Sequence, residues 1–189
     1  MNILDKFHNW RRKQRWDRQY KNGRWNSLKN PIEASRYHTI KDFIITYGKD
    51  QPSILDLGSG EGVLNEYLEL NSYDYFLGMD FSKVSIEKAK TKKFPNSDFI
   101  TADIHSYTPK RKYDVIIFNE AFYYVQESEK ENVLNRFLSY LEDNGILIVS
   151  IYREGSTCWE YFNNLLQLNH KVVTTNQEKT YWKIGVYKK

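Results

Sequence analysis

Cysteine occurs once in the 189 residues, at Cys158. One thiol cannot close an intrachain disulfide or build a cysteine-based metal site. It suits a reducing compartment, so a cytoplasmic location is the default expectation. No apolar run approaches the roughly 20 residues that a membrane span needs. The stretch from Met1 to Trp10 carries charges and no small-residue cleavage site, so it does not read as a secretory signal. Internal repeats, low-complexity tracts and linkers are missing too, and the length is that of one domain. No histidine–carboxylate cluster has metal-ligand spacing, so no metal is expected. The hydrophobic share is a modest 40%, but 16% of the residues are aromatic, and each ring buries a large area.

Charge is present but unevenly spread. Residues 1–30 hold nine Lys and Arg against Asp5 and Asp17, a net +7, while the whole chain is +4, so the remainder carries −3. Trp10, Trp16, Tyr20 and Trp25 are interleaved with these cations. Three readings stay open: a solvated helix face whose rings pack on the domain, a site for an anionic small substrate, or a surface for nucleic acid.

Hydrophobic periodicity predicts a helix over 32–45, ended by a turn at 48–52. Short apolar runs follow at 53–57, 75–79, 98–101, 114–118 and 146–152. Helices of about ten or more residues are expected after the first, second, fourth and fifth of them. The gap 103–113 contains Pro109 and reads as a loop. Continuous apolar strands alternating with helices indicate a parallel sheet covered on both faces. The last two runs, 171–175 and 180–187, are separated only by a polar turn around 176–179 and predict an antiparallel hairpin. The expectation is an α/β fold with a seven-stranded, mostly parallel sheet. Residues 32–189 form the domain behind a basic, aromatic segment, 1–31.

The most informative segment is Asp56-Leu57-Gly58-Ser59-Gly60-Glu61-Gly62, where an apolar strand enters a glycine-rich turn and a helix begins at once. Ligands of open α/β sheets bind at such carboxyl ends of strands. A dinucleotide fingerprint would need its third glycine at 63, which is Val63, and a pyrophosphate would meet the negative charge of Glu61. No Gly-Lys-Ser/Thr follows, so this is not a P-loop. Asp-x-Gly-x-Gly-x-Gly after a strand resembles the first motif of class I S-adenosylmethionine-dependent methyltransferases, which have a Rossmann-like fold. Two further acidic residues strengthen the resemblance. Asp80 ends the second run, where a carboxylate can accept from both ribose hydroxyls. Asp103 ends the third, a position that meets the adenine amino group in the family. The resemblance covers roughly 32–189. It implies S-adenosylmethionine as cofactor, with Asp56, Gly58, Ser59, Gly60, Asp80, Phe81, Asp103, Ile104 and Asn119 around it.

Past the fourth run, Asn119-Glu120-Ala121-Phe122-Tyr123-Tyr124 is similar to small-molecule N-methyltransferases, including the nodulation-type enzymes, in which these residues flank the sulfonium and the acceptor. Ala121 and Phe122 replace the prolines of the Asn/Asp-Pro-Pro-Tyr pattern found in DNA amino-methylating enzymes. The segments 16–20, 23–25 and 33–37 resemble the aromatic entry segment that folds over the methionine end of the cofactor. That likeness implies Arg36 for its carboxylate and Trp25 as a further contact, with Arg36 expected near the end of its helix. The candidates for orienting or deprotonating the acceptor are Glu120, then His105, then His38, with Tyr123 beside them; Tyr152 and Arg153 fall where acceptor contacts occur. The function expected is methyl transfer to a small molecule, more at nitrogen than at oxygen. The rivals are an RNA methyltransferase docking through residues 1–30 and a cofactor-binding protein without catalysis.

Overall fold

The computed structural model describes residues 3–155, 157–177 and 179–189, with side chains from residue 11 onward, so Lys6 and Trp10 lie outside the side chains described. Seven strands form one sheet: β1 (Ser53–Leu57), β2 (Tyr75–Asp80), β3 (Ser97–Thr101), β4 (Tyr113–Asn119), β5 (Leu141–Tyr152), β6 (Leu166–Thr174) and β7 (Tyr181–Lys188). Their spatial order is β3-β2-β1-β4-β5-β7-β6. The first five pair in parallel, and β7 lies antiparallel between β5 and β6. The order reverses between β1 and β4, and the crevice there, beyond the strand ends, is where an α/β sheet takes its ligand.

The alternation along each strand divides the core in two. Ile54, Phe76, Val115, Ile117 and Ile148 face α2 (Pro31–Tyr47), which contributes Tyr37, Ile40, Phe43 and Ile44, and α4 (Lys83–Thr91), which contributes Ile86 and Ala89. Leu55, Leu77, Ile116, Phe118 and Val149 face α5 (Lys130–Ser139), which contributes Val133, Leu134 and Phe137. Both faces are covered, which is why these strands read as unbroken apolar runs.

Three expectations need correction. The helix after β1, α3 (Val63–Tyr67), is five residues long. It gives way to a loop in which Asn71 takes the left-handed conformation, as Asn tolerates better than most residues. After β5 there is no long helix but a 3-10 turn over Cys158–Phe162, because β6 starts at Leu166, five residues earlier than the apolar run suggested. Arg36 lies in the second turn of α2, not near its end.

The N-terminal segment forms α1 (Ile3–Lys21) and a 3-10 stretch, Arg24–Lys29, before α2. Polar contacts fix it over the sheet's carboxyl edge. Asp17 Oδ1 accepts from Ser82 Oγ at 2.6 Å and from Val84 N at 3.3 Å, at the start of α4. Lys88 Nζ donates to the Tyr20 carbonyl at 2.9 Å. Among the described residues, no helix is long and apolar enough to cross a membrane.

Candidate functional site

A cavity of about 580 Å³ opens between the carboxyl ends of β1, β2 and β4 and the N-terminal segment, within the range that takes cofactor-sized ligands. Its floor is the Gly58–Glu61 turn. Gly58 has φ +83°, and an added Cβ would stand 2.7 Å from the Ala121 Cβ. At Gly60, φ +56°, it would meet the Tyr20 hydroxyl at 2.8 Å. A side chain at either position would hold a strained left-handed backbone, and at Gly58 it would also collide with Ala121.

The acidic strand ends are buried or nearly so. Asp80 accepts from Gly60 N at 3.0 Å and Ser82 N at 2.8 Å, which ties the end of β2 to the glycine turn. Burial raises its pKa against those bonds. Asp103 bonds His105 twice, through the ring Nδ1 at 2.7 Å and the backbone N at 3.0 Å. Burial opposes its charge, but the His105 contacts prevail and hold the carboxyl below its usual range. His105 Nε2 in turn accepts from Gln126 N at 3.1 Å, so the ring carries its proton on Nδ1. Both ring nitrogens are occupied.

Asp56 is different. It is fully buried, and neither carboxylate oxygen has a hydrogen-bond partner. Burial dominates and pushes its pKa up to about 8, against the pull of Arg36 and with a further push from Asp80. Ser59 Oγ and Trp25 Nε1 are also buried without partners, and both residues line the cavity. Asp56 itself does not line the cavity and lies beneath its glycine floor in β1. Buried polar groups are nearly always satisfied, so the unsatisfied Ser59 and Trp25 atoms on the cavity wall fit a polar ligand. S-adenosylmethionine, which offers an amino group, a carboxylate, ribose hydroxyls and adenine, fits this donor and acceptor set.

Glu61, the residue that argues against a pyrophosphate, is buried. Burial works against its charge, and Lys29 and Lys88, the latter at 2.6 Å, outweigh it to hold the pKa low. Nothing in the local sequence signals this anchoring role, since Lys88 is distant and Lys29 is one cation among many.

The second half of the cavity lies around Arg36 and Glu120. Arg36 is completely buried; Nε and Nη2 donate to Glu33 Oε2 at 3.1 and 2.9 Å, and Nη1 donates to Asn119 Oδ1. Its guanidinium lies over Tyr37 at 4.1 Å and Trp182 at 5.6 Å. Glu120 has φ +58°, and its carboxylate is committed. It accepts from Ser150 Oγ at 2.7 Å, Tyr152 N at 3.0 Å and Tyr123 Oη at 3.0 Å, tying the turn after β4 to β5. Glu33, Gln177, Thr180 and Trp182 also line the space and were not singled out by the sequence reading. His38 is exposed and not among the lining residues.

The roof is aromatic. Trp16 stacks on Trp25 with centroids 4.8 Å apart and meets Tyr124 edge-on at 5.0 Å. Arg12 donates to the Tyr124 carbonyl at 3.0 Å. Phe81, Ile104 and Asn119 all line the cavity, as do Tyr123 and Tyr152.

Residues 49–186 match the family described as methyltransferase domain. The chain belongs to that family, and S-adenosylmethionine is its cofactor. A malonyl-acyl-carrier-protein O-methyltransferase of Ilyobacter polytropus is 30% identical over 104 residues, 53% of this chain and 39% of that protein. Nodulation protein S of Azorhizobium caulinodans is 28% identical over 127 residues, 66% of this chain and 60% of that one. This chain thus spans less than two thirds of the length of either relative. Among solved structures, the N-methyltransferase NodS of Bradyrhizobium japonicum with S-adenosyl-L-homocysteine superposes with TM-score 0.79 at 17% identity, over 93% of this chain and 97% of that one. The 1,6-didemethyltoxoflavin N1-methyltransferase of Burkholderia thailandensis gives 0.78 at 11% identity, over 100% and 91%. At these identities the likeness is one of fold.

Proposed function

We propose that the chain transfers a methyl group from S-adenosylmethionine to a nitrogen of a small molecule, such as an amino sugar. The observation that carries this reading is the cavity itself. One half has a glycine floor and unsatisfied polar groups, and the other has carboxylates beside aromatic rings. The bound cofactor supplies a methyl group already activated on a sulfonium, so the protein's task is positioning and electrostatics.

In this reading Asp80 receives the ribose hydroxyls and Asp103, held by His105, receives the adenine amino group. Phe81 and Ile104 pack beside the base. Arg36 meets the cofactor's carboxylate, while Asp56, Ser59 and Trp25 gain the partners they lack. Asn119 fixes Arg36. Glu120 acts as a positioning residue, because its three donors shape the turn that carries Tyr123 and Tyr124. His105 fixes Asp103 and has no vacant ring nitrogen for a base. Lys29 and Arg12, two of the cations in the basic segment, turn toward the domain, which favours a small acceptor over RNA. The segment 1–31 serves in this reading as a lid on the domain 32–189.

The test is incubation with methyl-labelled cofactor and a panel of amines, hydroxy compounds and bulk RNA, with products read by mass spectrometry. Methylated amines are expected. Labelled RNA would promote the docking rival, and cofactor binding without any labelled product would favour a binding protein.

A further inference from the structure

An amine acceptor reaches the site mostly as an ammonium ion and must lose a proton before its nitrogen can attack. Glu120, His105 and Glu33 all line the cavity and are bases that could take it. Glu120 has spent both oxygens on Ser150, Tyr152 and Tyr123. His105 has both ring nitrogens engaged. Glu33 is placed otherwise. One oxygen, Oε2, takes both bonds from Arg36, and Oε1 has no hydrogen-bond partner among the described residues.

The surroundings of Glu33 suit a cation that is about to become neutral. Its side chain is 15% exposed, and it lines the cavity with Tyr123, Tyr152 and Trp182. Aromatic rings such as these attract ammonium groups, and the Arg36 charge over Trp182 is balanced by its two bonds to Glu33 Oε2. Burial raises the Glu33 pKa more than Arg36 lowers it, and the nearby Glu120 charge adds to the rise. A carboxylate moved in that direction is a better proton acceptor near neutral pH.

We propose that Glu33, through Oε1, binds the acceptor's ammonium group and takes its proton. This rests on the nitrogen-methylation reading above. The N–H bond breaks, its electron pair stays on nitrogen as the lone pair that methyl transfer consumes, and the proton moves to Oε1. Glu33 then returns the proton to water at the cavity mouth. Glu33 is thus a catalytic residue, and Glu120 holds the turn beside it.

The test uses the full chain with glutamate labelled at the side-chain carboxyl carbon, saturated with S-adenosyl-L-homocysteine and observed by NMR. Glu33→Gln assigns the resonance, with Glu33→Asp as the alternative if the first variant folds poorly. Methylammonium is the probe, with methanol and sodium chloride as matched controls. Saturable movement of the Glu33 signal with methylammonium alone is expected. Movement of Glu120 instead, or of neither, would overturn the assignment. Failure of S-adenosyl-L-homocysteine to bind would overturn the functional reading itself, so the two failures are separable. With an amine acceptor in hand, Glu33→Gln should lower kcat about tenfold or more at neutral pH. The deficit should shrink as the pH approaches the amine's own pKa, where no base is needed. A deficit independent of pH would mean that Glu33 only positions Arg36.

Discussion

Replacing Asp56 by Asn should stabilise the fold and weaken cofactor binding, and both effects can be worked from one side chain. Asp56 lies in the middle strand of the parallel sheet, fully buried, with no donor on either oxygen. Its pKa rises from 3.8 to about 8, first through burial, then by the balance between Arg36 and Asp80. The folded value is above the unfolded one, so the protonated acid is the form that the fold tolerates. Its contribution is fully present below the unfolded pKa and is lost as pH rises toward the folded value. Within that window each pH unit costs about 1.4 kcal/mol. Between about pH 5 and about pH 7 the wild type should therefore lose roughly 3 kcal/mol relative to the Asp56→Asn variant, whose amide has no proton to release. For a chain of this size that corresponds to about 5–10 °C in Tm. Urea unfolding followed by circular dichroism at a series of pH values reads the difference directly. Calorimetry with S-adenosyl-L-homocysteine should show about tenfold weaker binding, the scale of one buried polar partner. Parallel stability curves for the two proteins would refute the claim that Asp56 is a buried, unpaired acid. Undiminished affinity would remove it from the cofactor site.

Asp80→Ala should weaken S-adenosyl-L-homocysteine binding by about 1–3 kcal/mol, the cost of leaving buried hydrogen-bonding groups unpaired; unchanged affinity by calorimetry would withdraw the ribose assignment. Asp17→Ala should release the cap that α1 places on α4 and speed trypsin cleavage between Arg11 and Arg24, with S-adenosyl-L-homocysteine restoring much of the protection, as expected of a lid. Cleavage equal to that of the wild type, mapped by mass spectrometry, would show that Asp17 does not hold the segment in place.

The number and direction of the strands were legible because burial on both faces leaves a plain mark in β1, β2, β4 and β5: short apolar runs with helical stretches between them. β1 agrees to the residue at both ends. The errors fall where that mark is weak. Between β1 and β2, Val63, Leu64, Tyr67 and Leu68 fall at helical spacing, yet Asn71 and Ser72 favour turns and Leu70 ends up exposed. β6 is an edge strand, mostly exposed, and its first half offers only the short alternation Leu166-Gln167-Leu168-Asn169. The twelve residues of β5 begin with Leu141-Glu142-Asp143-Asn144, whose charges face outward beside a register shift opposite Tyr113.

The site divides along the same line. Glycines and strand-end acids belong to one contiguous motif each, so Gly58, Gly60, Asp80 and Asp103 could be placed from spacing and from the family likeness. The roles of Glu33, Glu61 and Glu120 depend on partners 27 to 32 positions away, or on which face of a helix turns inward, and neither appears in the local sequence. Glu120 reads as a free carboxylate at a strand end because its donors, Ser150 and the Tyr152 amide, come from the neighbouring strand. Glu33 reads as a first-turn helix acid, which needs no further explanation. Helical spacing sets it beside Arg36, three residues on, but only the fold buries that guanidinium against an aromatic wall and leaves one carboxylate oxygen over. A carboxylate's chemistry follows from the donors it meets, so two glutamates with the same intrinsic acidity come to hold opposite tasks. One is held by three donors to carry a turn, and the other is left open to exchange a proton.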